Sequence, residues 1–253
     1  MPWEVFPSRK TSNRRKKVLA TVWGKEKRGK THFSFTFPEP IWLFNFDDNE
    51  DGPRDKFPAK EFMVGQSYAV PPGADLADNR DALARFMEDY NELLQMNPEG
   101  TVVFDTATAL WQMIQAVEIT ALREKRESKG DSVKRDKDGD PLIYPYDYAK
   151  SNKFIEDIIQ GVKKTSMDAV FINRSQSVYD SQGRETDRIK MQGYKHLPFL
   201  TNITLHFGYD LTKKQHFVEV ESCAEDLSLA GQKFPNMPDD PFTYQSVYEL
   251  LYG

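Results

Sequence analysis

Residues 18–31 read VLATVWGKEKRGKT. The first six form a short apolar run that ends at a glycine, which predicts a buried strand. The remaining eight satisfy G-x-x-x-x-G-K-[ST] in full, with Gly24, Gly29, Lys30 and Thr31. Each fixed position has a physical task. Glycines let a loop turn its amide N–H groups inward, toward a phosphate. The lysine carries mobile positive charge to the β- and γ-phosphates, and the threonine hydroxyl can ligate Mg²⁺. A helix starting near Lys30 points its positive end at the same anion. The interior of the loop, Lys25, Glu26, Lys27 and Arg28, is bulky and charged, and His32 follows it. Those side chains can face solvent, and Lys25, Lys27 and Arg28 offer charge in cis near the γ-phosphate. A strand before and a helix after favour a phosphate cradle over a chance surface turn.

Further strands and helices follow the cradle. IWLFNFD, residues 41–47, is apolar and aromatic throughout, as a parallel strand buried on both faces should be. Asp47, Asp48, Glu50 and Asp51 crowd its C-terminal end, where ligands of open α/β sheets bind. Glu50, then Asp48, is the candidate for a water-activating base; for any one of these acids a solvated turn is the alternative. TVVFD, residues 101–105, is a third buried strand. Its Asp105 suits a Mg²⁺-positioning acid, a role compatible with capping the next helix.

Between these lie a loop over 53–78 with a short strand near 61–64, and an amphipathic helix over 79–96 with Asn79 as its cap. The pattern then predicts a helix over 107–127, a charged mobile loop over 128–141, a helix over 146–165 and a strand over 168–175. Residues 174–192 read as a hairpin or a disordered loop. An antiparallel pair over 203–211 and 215–222 and a short helix over 243–251 complete the chain. Four alternations of strand and helix predict an α/β fold with a mainly parallel central sheet, helices on both faces and an antiparallel C-terminal edge. The expected organisation is a basic tail over 1–17, a core over 18–222 and a C-terminal extension over 223–253.

Composition narrows the classes. Of 253 residues, 39% are hydrophobic and 29% charged, which suits a soluble globular protein. No apolar run reaches the roughly eighteen residues of a membrane span. The N-terminus lacks the apolar stretch of a secretory signal, and a lone cysteine, Cys223, suits a reducing cytosol. The expectation is a cytoplasmic protein without membrane contact. The net charge of −5 argues against indiscriminate nucleic-acid binding. The charge is uneven, however: residues 1–36 hold ten Lys/Arg against Glu4 and Glu26. A basic end could touch a polyanion or be a solvated tail.

The order cradle, acid after the second strand, acid ending the third resembles the RecA-like branch of P-loop ATPases. GKEKRGKTHFSFTFPEPIWLFNFDDNEDG resembles the opening of phage-encoded members of the single-strand annealing and recombination kind. TVVFDTATALW resembles their Walker B strand, AVFINRSQ the strand leading into a DNA-binding loop, and GYKHLPFLTNITLHF the segment after it. The likeness spans about residues 18–222. It implies ATP and Mg²⁺ as cofactors, ATP hydrolysis stimulated by DNA, single-stranded DNA as partner and a ring or filament of identical subunits. A phage or host single-strand-binding protein is a further expected partner. Carried over, Gly24 through His32 bind nucleotide, Thr31 and Asp105 hold the metal, and Lys30, Glu50 and Asp105 serve catalysis. Arg174 falls at the γ-phosphate sensor, where glutamine or histidine is commoner. Basic fingers expected in the late strand pair are replaced by Glu219, Glu221 and Glu225; Arg188, Lys190, Lys213 and Lys214 are the substitutes at hand.

Arg184, Arg188, Lys190 and Lys195, with Tyr179 and Tyr194, make 174–196 the candidate DNA contact, through phosphate pairing and base stacking. Asp180, Glu185 and Asp187 dilute that signal. Two other readings stay open: a nucleotide-dependent switch with little hydrolysis, and a small-molecule kinase, which lacks an arginine-rich lid here.

Overall fold

The computed structural model describes residues 16–48, 51–71, 73–128, 134–135, 137 and 139–253. Glu50 and residues 1–15 lie outside the described residues, as does most of the charged loop at 129–138. The strands are β1 (Leu19–Gly24), β2 (Ile41–Asn45), β3 (Phe62–Val64), β4 (Thr101–Asp105), β5 (Asp168–Tyr179), β6 (Glu185–Met191), β7 (Ile203–Asp210), β8 (Gln215–Cys223) and β9 (Lys233–Pro235). They form one sheet in the order β3-β2-β4-β5-β1-β7-β8-β9, with β6 paired to the far half of β5. From β3 to β7 every neighbouring pair is parallel. The β7–β8, β8–β9 and β5–β6 pairs are antiparallel. The α/β class, the parallel sheet and the antiparallel edge are as the sequence pattern predicts.

The helices are α1 (Lys30–Ser34), α2 (Asp51–Arg54), α3 (Leu76–Met96), α4 (Ala107–Glu127), α5 (Ala149–Lys164), α6 (Leu197–Leu200) and α7 (Tyr244–Tyr252). Side chains of a strand alternate between faces, so each central strand feeds two cores. Val102 and Phe104 of β4, with Ala169 and Phe171 of β5, pack under α3, α4 and α5. Val103, Val170 and Ile172 face the other way, into a core shared with Phe33, Phe35 and Phe37 after the cradle and with Val247 and Leu251 of α7. Phe104 stacks on Phe171 with centroids 4.9 Å apart, which locks β4 beside β5.

Helix α3 begins a turn earlier than predicted, and its cap is Asp75 rather than Asn79. The Asp75 carboxylate accepts from Asp78 N at 2.9 Å, and Asp78 returns the bond to Asp75 N at 3.2 Å. A reciprocal box satisfies two end donors and outcompetes a lone asparagine inside the helix. Residues 174–192 resolve as the β5–β6 hairpin, so β5 runs past residue 175 to Tyr179. The basic end is not all solvated. Lys17 Nζ donates to the carbonyls of Val162, Lys163 and Thr165, closing the C-terminus of α5. Segment 223–253 supplies β9 to the sheet edge and α7 to the second core.

Candidate functional site

The cradle joins β1 to α1 at the C-terminal edge of the sheet. Gly24 has φ +150°, and a Cβ there would lie 2.2 Å from Phe207 O of β7. Only glycine therefore lets β1 turn into the loop while paired to β7. Lys27 (φ 56°) and Gly29 (φ 89°) adopt left-handed backbone, which curls the loop back over the strand end. Lys30 Nζ donates to Gly24 O at 2.9 Å and Lys25 O at 2.8 Å, so its charge lies inside the loop. Burial lowers its pKa, opposed by Asp105, Glu26 and Asp47.

Strand β5 separates β1 from β4, yet Thr31 Oγ1 donates to Asp105 Oδ2 at 2.8 Å. The metal-type hydroxyl and the buried acid, 74 residues apart in the chain, thus share one point beneath the loop. This set fits a magnesium nucleotide: a glycine-bounded loop and a lysine for the phosphates, a hydroxyl and a carboxylate for the cation. Among the described residues, no group of three or more His, Cys, Asp or Glu is placed to hold a metal by itself.

The acidic turn after β2 is held by a residue the sequence reading passed over. Asn45 is buried, and its Oδ1 accepts from Asp47 N at 3.0 Å and Asp48 N at 2.9 Å. Its Nδ2 donates to Asp48 Oδ1 at 3.3 Å, which holds Asp48 at φ 52°. A lone amide inside IWLFNFD was the available signal. Asp47 forms an ion pair with Arg174, the β5 residue in register with Gly24. Arg174 N in turn donates to Thr108 Oγ1 at 3.0 Å, and Thr108 donates to Gln192 O at 2.8 Å. Gln192 N reaches back to Arg174 O at 2.9 Å. The β5–β6 hairpin is therefore rooted on residues that border the cradle.

The loop's own charges divide. Arg28 lies over the Tyr209 ring, 4.9 Å from its centroid, so its guanidinium is engaged on β7 rather than directed at the γ-phosphate. Lys25 and Glu26 are exposed. His32 sits on α1 with its ring 6.0 Å from Phe57, and burial lowers its pKa.

The acids of β8 have structural partners. Trp23, the residue before the cradle, stacks on His206 at 4.2 Å and donates its indole N–H to Glu221 Oε2 at 2.6 Å. Glu219 lies 3.4 Å from Lys233 Nζ of β9 and 3.7 Å from His206 Nδ1. Burial raises the Glu221 pKa and lowers that of His206. These carboxylates brace the sheet beneath the cradle.

At the base of the hairpin, Lys190 opposes Gln176, two residues past Arg174, so all three share one side of the ribbon. A register shift between Ser177 and Tyr179 then interrupts the alternation, and beyond it Asp187 and Arg188 are both exposed. Asp180 is taken up by Arg184 at 3.0 Å, and Glu185 accepts from Ser177. Arg184 thus closes its own turn, and exposed Lys195 lies beyond the ribbon. Arg188 and Lys190 are exposed.

No family model matches the chain, and no curated protein matches it. Among solved structures it is similar to a KaiC-like protein of the hyperthermophilic archaeon Pyrococcus horikoshii OT3. The identity is 12%, over 87% of this chain and 85% of that one, with a TM-score of 0.43. No helix among the described residues is long and apolar enough to cross a membrane.

Proposed function

We propose that the chain is a Mg²⁺-dependent, RecA-like ATPase that binds single-stranded DNA. The observation that carries this reading is the Thr31–Asp105 hydrogen bond under the cradle, which unites the two halves of a magnesium-nucleotide site across an intervening strand. Cradle amides and Lys30 hold the β- and γ-phosphates; Thr31 and Asp105 hold the cation. Bound magnesium supplies charge neutralisation to the phosphate oxygens. Lys30 must release Gly24 O and Lys25 O to take up the phosphates, exchanging two neutral acceptors for a dianion. The acid that would orient and deprotonate the attacking water is Glu50 or, next, Asp48, both of which follow β2 in the sequence. Arg174 leaves Asp47 for the γ-phosphate and so links nucleotide state to the hairpin it anchors.

Exposed Lys190, on the ribbon face with Gln176 and Arg174, and exposed Arg188 beyond the register shift support the DNA reading, because phosphate contacts need accessible cations. Expected assembly is a homo-oligomer, a ring or filament. Its role is phage-type recombination, annealing or replication in the cytoplasm, beside a single-strand-binding protein. Lys213 and Lys214, in the β7–β8 turn, are available for a neighbour's site. A second reading, a nucleotide switch with little turnover, draws on Glu219 and Glu221 standing where trans-acting cations are expected.

The test is ATP turnover with and without single-stranded DNA. DNA-stimulated turnover, abolished by Lys30→Ala, supports the ATPase; nucleotide binding with neither turnover nor DNA affinity refutes it. Rings, filaments or single subunits seen by electron microscopy with ATP and DNA decide the assembly.

A further inference from the structure

A cleft of about 610 Å³ opens between the acidic turn after β2, the segment from Tyr68 that leads into α3, and the first turns of α4. Its size falls inside the roughly 300–1,000 Å³ range of small-ligand sites. It begins where the cradle ends: Asp47 and Arg174 form its border with Lys30, and both act on that lysine's charge. Phe46, Tyr68 and Met113, all buried, form an apolar floor. Gln112 of α4 stands exposed at its side, and its amide has no hydrogen-bond partner among the described residues. Asp48 sits at the mouth, one oxygen held by Asn45.

The occupant must satisfy this lining. A phosphate is repelled by Asp48, since the neighbouring acid, Asp47, is already balanced by Arg174. The floor asks for a flat apolar surface. Asp48 asks for an N–H donor, and Gln112 offers both a donor and an acceptor. Bases with an exocyclic amine meet all three demands: a carboxylate accepts from the amine of cytosine, adenine or guanine, and the glutamine amide pairs with the edge beside it, whereas thymine offers a single N–H between two carbonyl oxygens that a carboxylate repels. The ribbon face carrying Lys190 and Gln176 starts at Arg174, on the rim of the same cleft. A strand whose phosphates lie on that face brings its bases to the cleft.

We propose that this cleft seats an unstacked, amine-bearing base, cytosine, adenine or guanine rather than thymine, of the single-stranded DNA bound by the ribbon. The proposal rests on the DNA-binding reading and adds to it a base preference and a contact between DNA and the border of the nucleotide site. The preference arises from Asp48 and Gln112, the backbone affinity from the ribbon.

The experiment uses the full chain with Mg²⁺ and labelled 15-mers: oligo-dC, oligo-dA, oligo-dT and oligo-dC with scattered abasic sites, read by fluorescence anisotropy. The expected result is about tenfold tighter binding of dC and dA than of dT or the abasic strand, a typical size for one stacked and hydrogen-bonded base. Gln112→Trp, at an exposed helix position, fills the cleft and should bring all four strands within twofold while leaving ATP affinity unchanged. Lys190→Glu should weaken all four in parallel. Equal affinity for dC, dT and abasic strands overturns the base site while DNA binding stands. A preference that survives Gln112→Trp also overturns it. Tighter binding of the oligo-rC counterpart overturns the assignment to DNA, and no binding of any strand overturns the DNA reading with it.

Discussion

Replacing Gly24 with alanine puts a methyl group 2.2 Å from Phe207 O and 3.2 Å from its carbonyl carbon. Ordinary contact begins near 3.4 Å, so β7 must retreat by about an ångström or β1 must leave its register. Gly24 is the last β1 residue paired to both β5 and β7, so the retreat pulls on the ladder that holds the cradle. Overpacking costs about 1–3 kcal/mol and the positive φ about 1 more, which gives roughly 2–4 kcal/mol. The same change at Gly29 meets only Asn236 Nδ2, at 3.6 Å, so it bears the φ cost (φ +89°) without a clash. That is about 1 kcal/mol. Urea unfolding followed by circular dichroism should place Gly24→Ala lower in stability than Gly29→Ala by about 1–3 kcal/mol, or roughly 2–12 °C in Tm. Both variants should bind a fluorescent ATP analogue more weakly, Gly29→Ala despite its milder unfolding. Equal destabilisation by the two, or none by Gly24→Ala, would refute the claim that the β7 carbonyl dictates the first glycine.

Asp105→Asn keeps an acceptor for Thr31 but removes the charge; Mg²⁺-dependent tightening of nucleotide should fall at least tenfold with little change in Tm, by calorimetric titration with and without EDTA. Arg174→Ala removes a half-exposed partner of Asp47, so stability should shift by less than about 1 kcal/mol, yet DNA should no longer stimulate turnover. The folded pKa of Glu221 is raised by burial, partly offset by the Trp23 N–H. The folded state then holds that proton more tightly, and stability falls as pH rises from the ordinary glutamate range through the raised value. Glu221→Gln should therefore raise Tm at pH 7 and lose its advantage near pH 4; an advantage that persists or grows in acid sinks this assignment. Gly161→Ala should destabilise α5 although alanine favours helices, because a Cβ there lies 2.4 Å from Tyr90 Oη; a higher urea midpoint would contradict it.

What the sequence determined is whatever depends on near neighbours in the chain. The spacing from Gly24 to Thr31 defines the cradle, and continuous apolar runs at β2, β4 and β5 define strands buried on both faces. The antiparallel edge was legible from two alternating runs around a polar turn. In the sequence Asn79 reads as the cap of α3 in place of Asp75 because Asp78 sits where a glutamate usually completes the box; the reciprocal bond becomes evident only once both side chains are placed. The hairpin was ambiguous because its acids and bases are interleaved along the chain, and only pairing sets Lys190 beside Gln176 on the face that starts at Arg174. The acids of β8 read as a missing feature, whereas Trp23, His206 and Lys233 use them as internal partners. Asn45, Thr108 and the cleft beside Arg174 carry no local pattern. Their roles arise from strand order, which sets β5 between β1 and β4 and brings residues many positions apart to one sheet edge. Local periodicity encodes which surfaces are apolar; only the tertiary structure decides which polar groups those surfaces bring together.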